Sequence, residues 1–413
     1  MVTRPPAVRL TGVRRALTAT GVAVAVAATL TACGGKGREP DRGGTGRATG
    51  PPVVVGLVNQ EGAPLGSFPE LRRGAEAAVA HVNEDLAGIG GRPIRLEVCT
   101  TRGTPESSQA CALELTAKKP VAVLGGVDLG ASASLPVFAK AGIPYVGGSP
   151  TLGEELMSSN AFMLAGGTVA DLLGEAQFAL DTLGAKRIGA LYVDVPGSLS
   201  TVIAAAQIVL RSKGATDVKV VAEKAEAADF VPALKSVSQG NPDAIFVVFP
   251  AQSCARIMAA RQALDLKAEM FYPGACASKA VVDAAGKGAE GAWFASGYLP
   301  FGDPSPEVAT WRTRTDDESS LSQAGFATVM NLRQLLVEAG ADHLTPADLV
   351  RRLKETKAHP AFMGHPYTCD GKQLPFLRSV CNPFVRILHL QSGEFRDVEG
   401  NWVSGAKLVE GFG

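Results

Sequence analysis

The sequence has no excess of either charge: 40 Lys and Arg stand against 40 Asp and Glu in 413 residues. Without a basic stripe it has no electrostatic footprint for nucleic acid, and no nucleic-acid partner is expected. No CxxC or CxxH spacing occurs, so no metal site is expected. The five histidines, His81, His343, His359, His365 and His389, are scattered, and His81 falls on a predicted surface face. After the N-terminal leader, no stretch is long and apolar enough to span a bilayer. Gly147–Thr151 approaches G-x-S-x-G but lacks the last Gly, and Pro150 would disturb a nucleophile elbow. Gly125–Gly130 follows a strand but is not G-x-G-x-x-G. No catalytic residue, no cofactor and no enzyme activity is expected from these patterns.

What is present begins with a leader. Arg4, Arg9, Arg14 and Arg15 precede an uncharged run, Ala16 to Ala32, which ends in Leu30-Thr31-Ala32-Cys33. That ending resembles the bacterial lipobox. The resemblance implies removal of residues 1–32 and a lipid on Cys33. Residues 33–52, rich in Gly, Pro and charge, read as a flexible tether. The protein is therefore expected outside the cytoplasmic membrane, held to its outer face.

Cysteine usage agrees with export. Six cysteines remain beyond Cys33, and six allow 15 connectivities. They fall into three local couples, so the expected bridges are Cys99–Cys111, Cys254–Cys276 and Cys369–Cys381. Each would close a short loop, contributing about 2–4 kcal/mol.

The folded chain opens with an apolar strand, Val53–Val58. A helix follows, announced by the capping box Ser67-Phe68-Pro69-Glu70. Leu71, Ala75, Ala78, Val79, Val82 and Leu86 recur at helical spacing. Ile94–Cys99 is the next strand, and Thr104-Pro105-Glu106 starts the next helix. Residues 121–151 then form a βαβ unit. Its strands are Val121–Leu124 and Ile143–Val146, its helix is Leu135–Ala141, and both strand-end loops are built of Gly, Ser, Thr and Asp. In open parallel sheets, ligands bind outside the carboxyl ends of strands. Small-residue loops there let backbone N–H groups and hydroxyls reach a small polar ligand. Asp128 reads equally as an exposed turn residue or as a ligand contact.

A second alternating series runs from helix Val169–Leu183 and strand Arg187–Val193 to strand Gly291–Ala295. Helices at 306–316, 321–339 and 345–356 follow, then a strand, Val385–Leu390, with a turn at Ser392-Gly393. The expected fold class is α/β: two doubly wound parallel-sheet lobes.

The segments VVVGLVNQEG, GAEAAVAHVNE, GIGGRPIRLEV, VAVLGG…AGIPYVGGSPT and DAIFVVFPAQ, in this order, resemble the type I solute-binding proteins of ABC transporters. The branch is that of leucine/isoleucine/valine-binding proteins; the cysteine couples and lipobox resemble actinobacterial members. The resemblance implies three hinge crossings, near Met163–Thr168, Ser296–Phe301 and Phe362–Tyr367. Lobe one would hold 53–165 plus 300–362, and lobe two 166–299 plus 366–413. It also implies a monomer that clamps a small polar solute and delivers it to permease subunits. The implied contacts are Gln60, Asp128, Ser132, Ser149, Pro150 and Thr151 from lobe one. Lobe two would offer Ser198, Pro250, Ala251 and Gly274. Ser198, Pro250 and Ala251 stand where members often offer aromatics, and Gly274 where amino-acid binders place a carboxylate for the ammonium. Leucine-like ligands are therefore disfavoured, with Asp128 or Glu61 as substitute counter-charges. Two other roles fit the same fold: a sensor feeding a signalling receptor, and an exported enzyme, against which the lack of a catalytic dyad argues.

Overall fold

The computed structural model describes residues 46–63, 66–151, 153–194, 199–340 and 343–411, with backbone alone for 199–203 and 205. Cys33 and Ser198 lie outside the described residues. The first series is β1 (Val53–Gln60), α1 (Pro69–Asp85), β2 (Ile94–Thr101), α2 (Pro105–Ala117), β3 (Val123–Gly125), α3 (Ala131–Lys140) and β4 (Tyr145–Val146). A short α4 (Gly153–Met157) and β5 (Ala161–Phe162) complete it. Its five strands form one wholly parallel sheet in the order β2-β1-β3-β4-β5.

The α2 start behaves as its sequence implies. Thr104 accepts from Ser107 N, and Pro105 occupies the first turn, where its missing N–H costs nothing. The α1 start does not. The helix begins at Pro69 with Phe68 as cap, one residue later than the expected box requires. Ser67 instead accepts from Gly62 N at 2.9 Å, closing the preceding loop. His81 is also not on an open surface; it packs on Phe326 and its Nδ1 meets Asp85 at 2.7 Å.

The second series is α5 (Gly167–Asp181), β6 (Arg187–Val193), α6 (Leu199–Ser212), β7 (Asp217–Glu223), α7 (Val231–Val237) and β8 (Ala244–Val248). It continues with α8 (Ala251–Ala263), β9 (Glu269–Tyr272), α9 (Lys279–Ala285) and β10 (Trp293–Ser296). Next come α10 (Pro306–Arg314), α11 (Ser320–Ala339), α12 (Pro346–Lys354) and a hairpin of β11 (His359–Ala361) and β12 (Gly364–Tyr367). The chain ends with β13 (Phe384–Gln391), β14 (Glu394–Asp397), β15 (Val403–Ser404) and α13 (Ala406–Val409). The second sheet runs β14-β13-β10-β9-β8-β6-β7, with β15 on β13. It is parallel from β7 to β10, but β13 pairs antiparallel to β10, so this lobe carries a mixed edge where a purely parallel sheet was expected. The Ser392-Gly393 turn, both residues at positive φ, folds β14 back on β13.

Each sheet is covered on both faces, which is why its strands read as continuous apolar runs. Val55 and Leu57 of the first sheet pack with Leu71, Ala75 and Phe326 of α1 and α11; Val58 and Val123 face Leu115 and Phe138 of α2 and α3. The three tail helices build no sheet, and α11 is buried along Ser320–Leu332. Three disulfides join Cys99 to Cys111, Cys254 to Cys276 and Cys369 to Cys381. The chain passes between the sheets three times: between Phe162 and Gly167, between Ser296 and Pro306, and between Lys354 and Phe384. The third passage touches both others: Leu299 N donates to Met363 O at 2.8 Å, and Cys381 N donates to Met163 O at 2.9 Å.

Candidate functional site

A small cavity lies where the passages meet. Its lining includes Gly148 and Ser149 from the loop after β4, Asp171 from α5 and Gly274 from the turn after β9. Gly297 and Tyr298, after β10, and Ser320, at the start of α11, close it. Its volume is about 40 Å³, room for about three or four non-hydrogen atoms, since a water needs about 10–15 Å³ of such space.

The loop after β4 owes its path to Gly147 and Gly148, both at positive φ. A Cβ on Gly147 would overlap the Thr328 side chain, and one on Gly148 the Gly125 backbone. Only glycine lets the loop pass this close to α11 and β3. Further along, Thr151 N donates to Glu155 Oε2 at 2.9 Å, and Pro150 O accepts from Thr168 N at 3.3 Å.

The expected contacts separate in space. Ser149 and Gly274 line one cavity. Thr151 does not, and its buried hydroxyl has no hydrogen-bond partner. Ser132 is exposed on α3. Asp128 is fully buried, and its Oδ1 accepts from Thr101 Oγ1 (3.0 Å), Ser108 Oγ (2.6 Å) and Gly130 N (3.1 Å). Burial pushes this carboxyl up, and those hydrogen bonds partly offset it. Asp128 therefore organises the loop that precedes α3. Gln60 is likewise buried, donating to Gly66 O at 3.0 Å and accepting from Leu129 N at 3.1 Å. Glu61 is already paired with Arg72 at 2.8 Å, so it is not free to serve as a counter-charge for a ligand. Pro250 caps α8, and Ala251 lines a separate groove of about 940 Å³ with Ser67, Phe68 and Gln252. In that groove Gln252 Nε2 reaches across from the second lobe to Ser67 O at 2.6 Å.

The sequence reading missed the acids of this site. Asp171 Oδ2 accepts from Gly274 N at 3.2 Å, and Glu175, one turn along α5, accepts from Ala295 N at 3.0 Å. Burial pushes Asp171 up to about 7 against only that one backbone donor. Glu175 is also driven well up, by burial first and then by the nearby Asp171. Its Oε2 has no partner. Among the described residues, no Lys, Arg or His lines the cavity. One signal was available. Asp171 and Glu175 share the helix stripe of the buried Phe178, on a segment, Gly167–Asp181, with no basic residue to pair them. Tyr298 closes the cavity with its hydroxyl bonded to the Thr328 side chain, and burial raises that phenol. Among the described residues, no group of three or more His, Cys, Asp or Glu is placed to hold a metal ion.

Comparison with known structures returns the same two-lobe architecture. The leucine-binding protein LivK of Thermotoga maritima superposes with a TM-score of 0.70 at 17% identity, covering 85% of this chain and 99% of that one. A fatty acid ABC transporter substrate-binding protein from Thermomonospora curvata gives 0.74 at 16%, covering 90% and 97%. A solute-binding protein of an ABC transporter from R. palustris, in complex with 4-hydroxybenzoate, gives 0.70 at 18%, covering 86% and 98%. At such identities the likeness shows the fold. A comparison with curated protein sequences finds no match. The family model described as periplasmic binding protein matches residues 52–374, from the strand that opens the first sheet to the segment beyond the hairpin. With both lobes, the three passages and an interlobe cavity within or beside that span, the chain belongs to the periplasmic binding protein family.

Proposed function

We propose that this protein is the solute receptor of an ABC importer. It captures a small polar solute between its lobes and presents it to the permease subunits. The observation that carries the reading is the interlobe cavity, where Ser149 of the first lobe meets Asp171 and Gly274 of the second. A ligand bridging these residues stabilises the closed pair of lobes, and closure is what a permease can read. Hinges at Met163–Thr168, Ser296–Phe301 and Phe362–Tyr367 would divide 53–165 plus 300–362 from 166–299 plus 366–413. The leader with Cys33 fits a monomer tethered to the outer face of the cytoplasmic membrane. No helix among the described residues is long and apolar enough to cross it.

Among the described residues, a second cavity shares no lining residue with the interlobe one. This cavity, of about 250 Å³ between α5 and α6, is lined almost wholly by apolar side chains, among them Leu156, Leu172, Phe246 and Leu374. The neighbours above include proteins named for leucine, fatty acid and 4-hydroxybenzoate binding.

The test is a thermal-shift screen of amino acids, amides, amines, aromatic acids and short acyl acids. A ligand bound only by the folded protein raises its melting temperature; at a hundred times Kd the gain is about 2.7 kcal/mol. Failure of every class to shift the melt would overturn the solute-receptor reading.

A further inference from the structure

We infer that the solute presents a positively charged nitrogen to the interlobe cavity, with Asp171 as its counter-charge, and that its binding releases a proton from the Asp171–Glu175 pair. The inference rests on the solute-receptor reading and narrows it to a ligand class. Three independent observations carry it.

The first is charge. Asp171 faces a cavity whose lining, among the described residues, has no basic side chain. The groups around it are the Gly274 N–H, the Ser149 and Ser296 hydroxyls, the Tyr298 phenol, Ser320 and Glu175. Ser320 is already committed, since its hydroxyl donates to Gly274 O. A carboxylate in such a place ionises only if a cation comes to it or if it is solvated.

The second is the unpartnered atom. Glu175 is fully buried, with one oxygen on Ala295 N and the other on nothing. A bond to Gly274 N and a bond to Ala295 N do not balance two adjacent negative charges. Without ligand, the pair therefore holds at least one proton.

The third is position and size. A side chain at residue 274 would start 2.7 Å from Ala295 O and 3.3 Å from Asp171 Oδ2. The Asp171 carboxylate therefore lies beside position 274 and supplies a negative charge there, which answers the objection to cationic solutes raised by Gly274 itself. A cavity of about 40 Å³ takes an ammonium and its carbon, and leaves the rest of the solute in the cleft.

The proton balance follows. The incoming nitrogen arrives already protonated; its charge favours ionised Asp171, and the Asp171 proton passes to solvent. Below neutrality, affinity then rises about tenfold per pH unit and levels off once Asp171 is ionised in the free protein.

The experiment uses the mature full-length protein and matched pairs: leucine with 2-hydroxy-4-methylpentanoate, γ-aminobutyrate with 4-hydroxybutyrate, and putrescine with 1,4-butanediol. The expected result is that at least one amine raises the melting temperature while its hydroxyl partner does not. Asp171→Asn, checked by its own ligand-free melt, should abolish the shift. Calorimetry of that amine in two buffers of different ionisation enthalpy should show proton release in the wild type and tenfold stronger binding at pH 6.5 than at pH 5.5. Shifts from hydroxyl or acid compounds alone would overturn the ammonium inference and leave the receptor reading standing. An amine that binds Asp171→Asn equally well, affinity independent of pH, or an equal shift by sodium or potassium salts would overturn it in the same way. No shift with any amine would also overturn it.

Discussion

Gly325→Ala tests the packing that holds the cavity in place. α1 and α11 cross at two glycines. A Cβ on Gly325 would overlap the Leu71 carbonyl oxygen and lie 2.9 Å from Ala75 N; one on Gly74 would overlap the Ser322 carbonyl oxygen and lie 2.9 Å from Ser322 Cα. Two effects compete. Replacing a mid-helix Gly by Ala favours the helix by about 1 kcal/mol. Against that, the new methyl meets backbone, which has no rotamer to change. Overpacking usually costs about 1–3 kcal/mol, and here the helices must separate along a shared face. The expected net loss is about 2 kcal/mol, read as a lower urea midpoint with unchanged slope. Because α11 also supplies Ser320, Leu321 and Ala324 to the cavity, the best ligand of the screen should bind the variant more weakly. A gain in stability near 1 kcal/mol would show that helix propensity rules and that the close crossing is wrong.

Two further outcomes are expected. The Asp171 carboxyl is raised to about 7 in the fold, so its contribution to stability is present below its unfolded value near 4 and is lost as pH rises through 7. Asp171→Asn should therefore be the more stable ligand-free protein at pH 8 by roughly 1–2 kcal/mol, because the carboxyl is partly open to the cavity, and should lose that advantage at pH 4.5; melts that track each other across the range would refute the shift. Cys33→Ala should release the protein to the medium with an unchanged melting temperature, and a variant that stays on the membrane would place the anchor elsewhere.

Much of the fold was legible because its strands are buried on both faces and bounded by turns or charge. Arg187–Val193 begins and ends as the sequence implies. β5, at two residues, is too short to show any period, and the hairpin of β11 and β12 hides beside the prolines Pro360 and Pro366. The direction of β13 was not legible. An apolar run buried against a sheet reads alike in either sense, and only pairing with β10 fixes it. For the candidate site, the cavity-lining place of Ser149 was legible, because loops at strand ends lie where open parallel sheets leave a crevice. Asp128 looked the same in sequence, yet its neighbours Thr101 and Ser108 turn it inward. Nothing local to Asp128 reports that, since both partners lie on other elements.

Gly274 and Asp171 show why residue-by-residue transfer fails at this site. Taken alone, a glycine where the family resemblance implies an acid reads as a lost charge. In the fold, the glycine is what admits the charge from another element. Its backbone N–H donates to Asp171, and any Cβ there would crowd Ala295 O and the Asp171 carboxylate. The two positions belong to different elements, α5 and the turn after β9, and meet through that hydrogen bond. A carboxylate introduced at 274 would therefore not add to the one on α5. It would collide with it, and two close negative charges would drive the nearby carboxyls further toward the neutral form. An acid at 274 is expected to lower the urea midpoint even when Asp171 is made small and neutral, because any Cβ there lies 2.7 Å from the Ala295 carbonyl oxygen, which has no rotamer to change.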